Sequence, residues 1–354
     1  MKEQVESMEK QNNNKSKFLG VLLGIGALAL GKLKYVLVVL KIFKFSTLFS
    51  MFLSIGAYAM IYGWKFAVAL VALLAIHEGG HGIAAKMKGI PTSPALFIPF
   101  MGAVIGLKEQ PKDAKTESFV GYMGPLFGLF SVVIAAGIYL LTEEPFWAMV
   151  IMLGGMINLF NLMPVSPLDG GRILAVVSPR IWLIGLGGLI FAAVSFGGVL
   201  VWLIILFGIG TIWNRFKQER RIKELSTKIS IYDTWREKIG EPDGYQALVW
   251  RMNELERKAN LSMAEKWEAE VLSHIEYHTE LEATEEGWKR ILDEQSVREE
   301  IERWRSEMEP IVRYYETSSA TKWKVVIAYI LLAAALGGMT EWGRILVEAH
   351  RIEL

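Results

Sequence analysis

Long apolar runs separated by short polar stretches dominate residues 47–213. From residue 214 to residue 322 the pattern changes, because Glu, Lys and Arg become frequent and apolar residues recur at three- and four-residue spacing. A last apolar run lies near the C-terminus. Runs near ~20 residues are long enough to cross a bilayer as helices, whereas the three- and four-residue spacing indicates amphipathic helices. The predicted spans are roughly 47–63, 66–86, 118–141, 146–163, 181–196, 198–213 and 323–340.

This pattern predicts an all-α polytopic membrane protein with about six core transmembrane helices, one C-terminal span and a cytosolic helical domain. The stretch 181–213 has two interpretations, either one long tilted helix or two short helices joined at Gly197-Gly198. The predicted parts are a tail with an interfacial segment (1–46), a membrane core (47–214), the cytosolic domain (215–322), and the C-terminal helix with a short tail (323–354).

Composition narrows the class of protein further. The 354 residues include 52% hydrophobic and 21% charged side chains, and the mean hydropathy is +0.32. So much apolar surface is available for burial that intrinsic disorder is excluded. The sequence has no cysteine, which excludes a disulfide scaffold, a thiolate metal site and a cysteine nucleophile. A net charge of +1 without a basic stripe predicts no nucleic-acid partner.

The basic residues indicate the orientation in the membrane. Lysine and arginine clusters lie before the first confident span and after the second, fourth and sixth, whereas the other loops contain little more than Lys65. If the spans alternate, all the clusters lie on one side, which the positive-inside rule makes cytosolic. We therefore expect the N-terminus and residues 215–322 in the cytosol and the C-terminus on the opposite side.

The N-terminal residues 1–46 have two interpretations. Lysines recur among apolar residues from Lys32 to Lys44, which favours a basic amphipathic segment on the cytosolic membrane face, preceded by a disordered tail. The alternative is a cleaved signal peptide, because Phe18–Leu30 is apolar and Ala27-Leu28-Ala29 is similar to a signal-peptidase site.

The motif His77-Glu78-Gly79-Gly80-His81 lies inside the second apolar span. Positions i and i+4 share one helix face, so both imidazoles can bind the same ion. Glu78 lies beside that face, where it can activate a bound water. The alternative is a pair of hydrogen-bonded core histidines. The setting disfavours it, because an ionisable side chain inside a membrane costs at least ~2.5–3.5 kcal/mol.

A catalytic zinc site needs a third protein ligand besides the two histidines. The predicted membrane core has no further histidine and no cysteine, so this ligand must be a carboxylate, for which Asp169 in NLFNLMPVSPLDGGR is the candidate. Pro164 and Pro167 are predicted to end the fourth helix, and Gly170-Gly171 to permit an irregular backbone around the aspartate. The alternative is a polar loop at the membrane surface in which Asp169 pairs with Arg172.

These residues resemble the site-2 protease family of intramembrane zinc metalloproteases. The resemblance rests on HEGGH followed downstream by NLMPVSPLDGGR, and on the segments FIPFMGA and GYMGPLFG between them. It covers about residues 47–214, which we therefore expect to form an intramembrane metalloprotease core. Gly79 departs from the family pattern, in which a larger apolar residue is more usual at this place.

The resemblance implies one zinc ion bound by His77, His81 and Asp169, with Glu78 as the catalytic base and acid. It implies that Asn161 binds the substrate backbone or steadies the oxyanion. The stretch 90–107 is similar to the family's membrane-associated strand or re-entrant segment beside the substrate. The implied function is an endopeptidase that hydrolyses peptide bonds in or near transmembrane segments, in regulated intramembrane proteolysis, with a membrane-protein helix as its substrate.

Two other classes of protein stay open. One is a non-proteolytic membrane protein with a structural or sensory metal site and a partner-binding cytosolic bundle. Glu78 disfavours it, because a closed structural zinc site needs four ligands and no base. The other is a transporter, for which we would expect further ionisable residues along several spans.

Residues 215–322 are predicted to form a small helical bundle. His274 and His278 form a second i, i+4 pair, but the acidic, solvated setting favours a surface pair over a metal site. The sequence does not indicate the oligomeric state. The expected core anchors, or else a face that binds a cytosolic regulatory partner, are Trp235, Trp250, Trp267, Trp288 and Trp304.

Overall fold

The computed structural model describes residues 46–277, 284–292 and 294–352. All but the last residue of the predicted N-terminal segment 1–46, and also His278, lie outside these described residues. The described chain is mainly helical, with one short β-hairpin of strands β1 (Leu96–Ile98) and β2 (Gly102–Val104). The helices are α1 (Ser46–Tyr62), α2 (Trp64–Met87), α3 (Ala114–Thr142), α4 (Pro145–Asn161), α5 (Asp169–Leu174), α6 (Trp182–Phe196), α7 (Val199–Lys238), α8 (Gly244–Arg257), α9 (Met263–Tyr277), α10 (Glu285–Leu292), α11 (Gln295–Tyr315) and α12 (Ser319–Ile352).

The apolar helices agree with a multi-pass integral membrane protein. Within the described residues, α2, α3 and α12 are each long and apolar enough to cross a bilayer, and shorter apolar helices cover residues 46–62, 145–161 and 179–195. The predicted span 198–213 is the first part of α7, which continues as one helix into the charged segment. The all-α class therefore agrees with the structure, whereas the number of spans and the cytosolic domain stay predictions.

Gly197 and Gly198 separate α6 from α7. Their φ angles are 73° and 109°, a region that L-residues with side chains rarely adopt. The backbone therefore cannot continue one helix through this pair. Of the two interpretations of residues 181–213, the structure shows two helices.

The hairpin belongs to a compact unit that also contains α1 and the part of α2 up to Leu74. Its strands are antiparallel, with Phe97 opposite Ala103. The Phe97 amide donates to Ser50 Oγ at 3.1 Å, and the Phe100 amide donates to Tyr58 Oη at 2.9 Å. The two side chains of α1 thus satisfy one backbone donor on β1 and one in the turn that follows it. The outer edge of β2 has no paired strand among the described residues.

The second compact unit contains the remainder of α2 and the chain from Leu107 onward. Helices α4 and α12 approach each other closely at two glycines. A Cβ atom at Gly155 would lie 2.1 Å from Thr340 Oγ1, and one at Gly343 would lie 2.6 Å from the Met152 amide nitrogen. Small residues permit this kind of close helix packing in membrane proteins.

The charged part of this unit has an apolar core of its own. Side chains from the C-terminal half of α7 and from α8 to α11 pack together around Leu248, Leu272 and Trp288. Trp235 is buried in the same cluster and Trp304 packs against it, as expected for core anchors. Trp250 differs from that prediction, because 66% of it is exposed.

Candidate metal centre

His77 and His81 lie one turn apart on α2, and both are buried. Their Nε2 atoms are 3.2 Å apart, which follows from the i, i+4 spacing on an α-helix. Asp169, the first residue of α5, places its Oδ2 atom 3.0 Å from His77 Nε2 and 3.2 Å from His81 Nε2. The structure therefore brings the three predicted ligands together.

Hydrogen bonds on the other ring nitrogens define the histidine tautomers. His81 Nδ1 lies 2.8 Å from the Val120 carbonyl, which can only accept, so Nδ1 carries the proton. His77 Nδ1 lies 2.7 Å from Asn158 Oδ1, and the Asn158 Nδ2 group donates to the Gly154 carbonyl at 2.7 Å. Both Nε2 atoms face the Asp169 carboxylate and, in a neutral ring protonated on Nδ1, each would present a lone pair to an ion, as in metal sites whose ligating histidines are oriented by outer hydrogen bonds.

This donor set fits a zinc ion. Three lone pairs that face one another repel unless a cation lies among them, and a proton on one Nε2 would satisfy only one imidazole. Zinc–ligand bonds of about 2.0–2.1 Å in a tetrahedral site require ligand atoms about 3.3 Å apart. The observed separations of 3.0–3.2 Å agree with that value. The donor atoms of His77, His81 and Asp169 therefore fit one zinc ion, and their role as its ligands stays a prediction.

Glu78 lies beside the two histidines and is 9% exposed. His77, Glu78 and His81 each offer one potential ligand atom, and these three atoms lie within 4.8 Å of one another. This distance places the Glu78 carboxylate at the site without making it part of the close triangle formed by the other three side chains. A carboxylate at this place can act as a base on a nearby water or substrate atom, and the role of Glu78 stays a prediction.

Glycines on α2 and α3 make room for the site. A Cβ atom at Gly124 would lie 2.2 Å from His81 Nε2, and one at Gly128 would lie 1.8 Å from Asn158 Oδ1. At Gly80 a Cβ atom would lie 2.3 Å from the Met123 carbonyl oxygen. By contrast, nothing lies within 4 Å of a Cβ atom at Gly79, so packing does not require the departure from the family pattern at that residue.

The chain turns sharply between α4 and α5 to present Asp169. Helix α4 ends at Asn161, three residues before Pro164, in agreement with the predicted helix end. The backbone from residue 162 to residue 168 is irregular, as predicted before Asp169, whereas Asp169 itself begins the short helix α5. Gly170 and Gly171 serve close packing instead, since Cβ atoms there would lie 2.0 Å from the Leu162 carbonyl oxygen and 2.4 Å from the Ser166 amide nitrogen.

A chain of polar contacts extends from Asp169 to the end of α11. Arg172 Nη1 lies 3.7 Å from Asp169 Oδ1, and Arg172 Nε lies 3.6 Å from Glu117 Oε1. The Tyr314 hydroxyl donates to Glu117 Oε2 at 2.5 Å. Burial and the Glu117 carboxylate raise the pKa of Tyr314, so its hydroxyl keeps the proton that it donates. The Asp169–Arg172 pair expected for a surface loop thus exists beside the histidine contacts.

The two asparagines of α4 have different surroundings. Asn161, the predicted substrate or oxyanion residue, is the last residue of α4 and is partly buried, and its role stays a prediction. Asn158, one turn earlier, is 1% exposed and orients His77. Sequence reasoning missed Asn158, although a polar side chain inside an apolar membrane helix is itself a signal of function.

Comparisons with known proteins agree with this site. Residues 65–144, which include the HEGGH motif, match the model of peptidase family M50. The "Zinc metalloprotease MJ0392" of Methanocaldococcus jannaschii is 30% identical over 181 residues, which cover 45% of this chain and 50% of that protein. The "Putative zinc metalloprotease Rip3" of Mycobacterium tuberculosis is 29% identical over 153 residues, which cover 39% of this chain and 38% of that protein. The chain thus matches half or less of each relative's length, and the predicted resemblance to zinc metalloproteases is confirmed.

We predict that Asn158→Ala weakens zinc binding about 10- to 100-fold, because loss of an outer hydrogen bond to a metal-binding histidine has this effect. Zinc retention against a graded chelator measures the change. Asn253→Ala is the matched control, since the Asn253 amide also bonds the carbonyl four residues earlier, at 2.8 Å, but is exposed on α8. Equal zinc retention in both variants would contradict the role of Asn158.

We predict that Gly124→Ala lowers zinc content and thermal stability, because its methyl group would overlap the His81 ring. Overpacking of this kind costs about 1–3 kcal/mol. Gly137→Ala is the control on the same helix, where nothing lies within 4 Å of the added Cβ atom. The free energy of unfolding of that variant should stay unchanged or rise by up to about 1 kcal/mol, because alanine has a better helix propensity than glycine. Zinc analysis and thermal unfolding of the two variants check the contrast.

Proposed function

We propose that this chain, with its similarity to zinc metalloproteases of peptidase family M50, is an intramembrane zinc endopeptidase. It would cleave peptide bonds in or near transmembrane segments of other membrane proteins, in regulated intramembrane proteolysis. The observation that carries the proposal is the triangle of His77, His81 and Asp169 with Glu78 beside it, buried among apolar helices. Three ligands and an adjacent carboxylate are the composition of a catalytic rather than a structural zinc site.

Each residue has a defined task in this reaction. His77, His81 and Asp169 would hold the zinc ion, which when bound supplies Lewis acidity toward water and the peptide carbonyl. Glu78 takes a proton from the attacking water as the new carbon–oxygen bond forms. It then returns a proton to the amine as the carbon–nitrogen bond breaks, so the carboxylate is regenerated. Asn161 is proposed to bind the substrate backbone or the oxyanion, in line with the family resemblance.

A substrate helix must unwind locally before its peptide bonds can react, because intrahelical hydrogen bonds hide them. We propose that the β-hairpin supplies replacement main-chain partners by strand addition. Side chains of α1 already satisfy the Phe97 amide on β1 and the Phe100 amide in the turn after it. The edge available for an added strand is therefore that of β2, which has no paired neighbour on its outer side among the described residues.

We predict that Glu78→Gln abolishes cleavage while zinc and fold are retained, because the amide keeps the shape of the side chain but cannot accept the proton. Comparison of membrane proteomes from cells with the active protein and with the variant should show a transmembrane fragment that depends on Glu78. Glu144→Gln, at an exposed residue before α4, is the control and should behave as the unaltered protein. If no fragment differs under any condition, the non-proteolytic protein with a structural or sensory metal site becomes the better explanation.

The proposed orientation places residues 215–322 in the cytosol, and single cysteines can test it because the chain has none of its own. A cysteine at Lys266, an exposed residue of α9, should react with an impermeant maleimide only after the cells are opened. A cysteine at Glu144, between α3 and α4, should react in intact cells. The reverse labelling pattern would overturn the orientation without affecting the proposed chemistry.

A further inference from the structure

A cavity of about 350 Å³ is lined by the residue that follows the C-terminal end of α2 and by residues near the N-terminal ends of α3 and α12. We call it the lysine pocket. Its volume is within the range of about 300–1,000 Å³ that is usual for small-molecule sites. None of its lining residues belongs to the ligand set or to the hydrogen bonds that orient it. They are Lys88, Lys115, Ser118, Phe119, Tyr122, Thr321, Lys324, Val325 and Ala328.

Positive charge is concentrated at the mouth of the lysine pocket. Lys88 directly follows the last residue of α2, Lys115 is the second residue of α3, and Lys324 lies in the second turn of α12. Among the described residues, none of the three ammonium groups forms an ion pair. Asp113 and Glu117 each lie two residues from Lys115 in the sequence, but Asp113 accepts from the Thr116 amide and Glu117 contacts Arg172 and Tyr314. The Lys88 ammonium also lies over the Phe119 ring, 4.7 Å from its centroid. Three like charges around one cavity, none of them paired with a described carboxylate, favour an anionic ligand.

The wall behind these lysines is mostly apolar. On α3, Phe119 and Tyr122 follow Lys115 at i+4 and i+7, and thus lie on the same helix face farther along the membrane-crossing helix. On α12, Val325 and Ala328 continue the wall in the same way. The pocket therefore has a cationic mouth at the helix ends and an apolar side that extends toward the hydrocarbon.

Ser118 supplies a polar group between these two regions. It is 3% exposed and lines the cavity, and its hydroxyl hydrogen bonds to no other residue that the structure describes. Because it has no such partner, this hydroxyl can donate a hydrogen bond to a ligand oxygen that enters the cavity. Ser118 and the lysine side chains together provide the donors that a phosphate group prefers.

We propose that the lysine pocket binds an anionic phospholipid, with the phosphate among the three lysines and Ser118 and an acyl chain along Phe119, Val325 and Ala328. Basic pockets between membrane helices are known to hold anionic headgroups. A free phosphate would satisfy the same donors but would leave the apolar wall without a partner. The amphipathic lining therefore favours the lipid over the soluble anion.

Retention of lipid by the intact, full-length protein tests the proposal, and its result does not depend on proteolysis. Native mass spectrometry can count dioleoyl phosphatidylglycerol molecules that stay bound in detergent, with dioleoyl phosphatidylcholine as the zwitterionic comparison. We expect the unaltered protein to retain phosphatidylglycerol preferentially. The triple substitution K88Q/K115Q/K324Q should weaken this retention at least about tenfold, and K88R/K115R/K324R should restore most of it because the positive charge is kept.

The matched control is K86Q/K112Q/K322Q. These lysines lie two or three residues from the pocket lysines and do not line the cavity, so the control removes the same net charge from the same helix ends. We expect it to retain phosphatidylglycerol within about threefold of the unaltered protein. Equal loss in both glutamine triples would show only general attraction to the basic surface and would overturn the site.

A soluble competitor separates a lipid site from a phosphate site. Millimolar sn-glycerol 3-phosphate carries the phosphate without an acyl chain, and we expect it not to displace phosphatidylglycerol. Displacement that depends on the three pocket lysines would instead identify a soluble anion as the ligand and contradict the lipid proposal. Unchanged thermal unfolding and zinc content of each variant show that it folds, so loss of lipid cannot be attributed to misfolding.

Discussion

Two imidazole rings and a carboxylate can stay together among apolar helices only if each polar atom has a partner. His77 and His81 donate their Nδ1 protons outward, to Asn158 and to the Val120 carbonyl, so that their Nε2 atoms face the Asp169 carboxylate. This requirement explains much of the surrounding packing. Helix α3 must approach α2 closely enough for a backbone carbonyl to reach His81, and helix α4 must carry a buried amide toward His77.

Such close approach constrains residue size as well as polarity. Gly124 and Gly128 on α3 lie where any side chain would overlap His81 or Asn158. In a soluble helix these two glycines would only lower stability, but here the close approach of the His81 and Asn158 side chains requires them. In the same way, Gly170 and Gly171 let α5 begin against the end of α4, so that Asp169 reaches both histidines.

The parts of the site that follow from local geometry could be predicted from the sequence. His77 and His81 share a helix face because of the helical repeat. The predicted membrane core has no further histidine and no cysteine, which leaves a carboxylate such as Asp169 as the third ligand. Asn158 was not found, because hydropathy cannot distinguish it from Asn161 one turn later on the same apolar helix. Only the position of His77 on another helix decides which asparagine is the partner, and that contact is between residues distant in sequence. The break at Gly197-Gly198 was likewise undecided, because hydropathy does not report a positive φ.

The contacts around Asp169 also show that the charged segment is physically joined to the metal centre. Arg172 lies between the carboxylates of Asp169 and Glu117, and Tyr314 at the end of α11 donates to Glu117. The next helix, α12, packs against α4 through Gly155 and Gly343. Helices α11 and α12 thus contact the ligand-bearing part of the chain at two separate places. A chain that ended before α7 would leave Glu117 and Arg172 without the tyrosine and would expose the apolar face of α4. The residues that follow the membrane core therefore contribute to the environment of the zinc ligands, although none of them is a ligand.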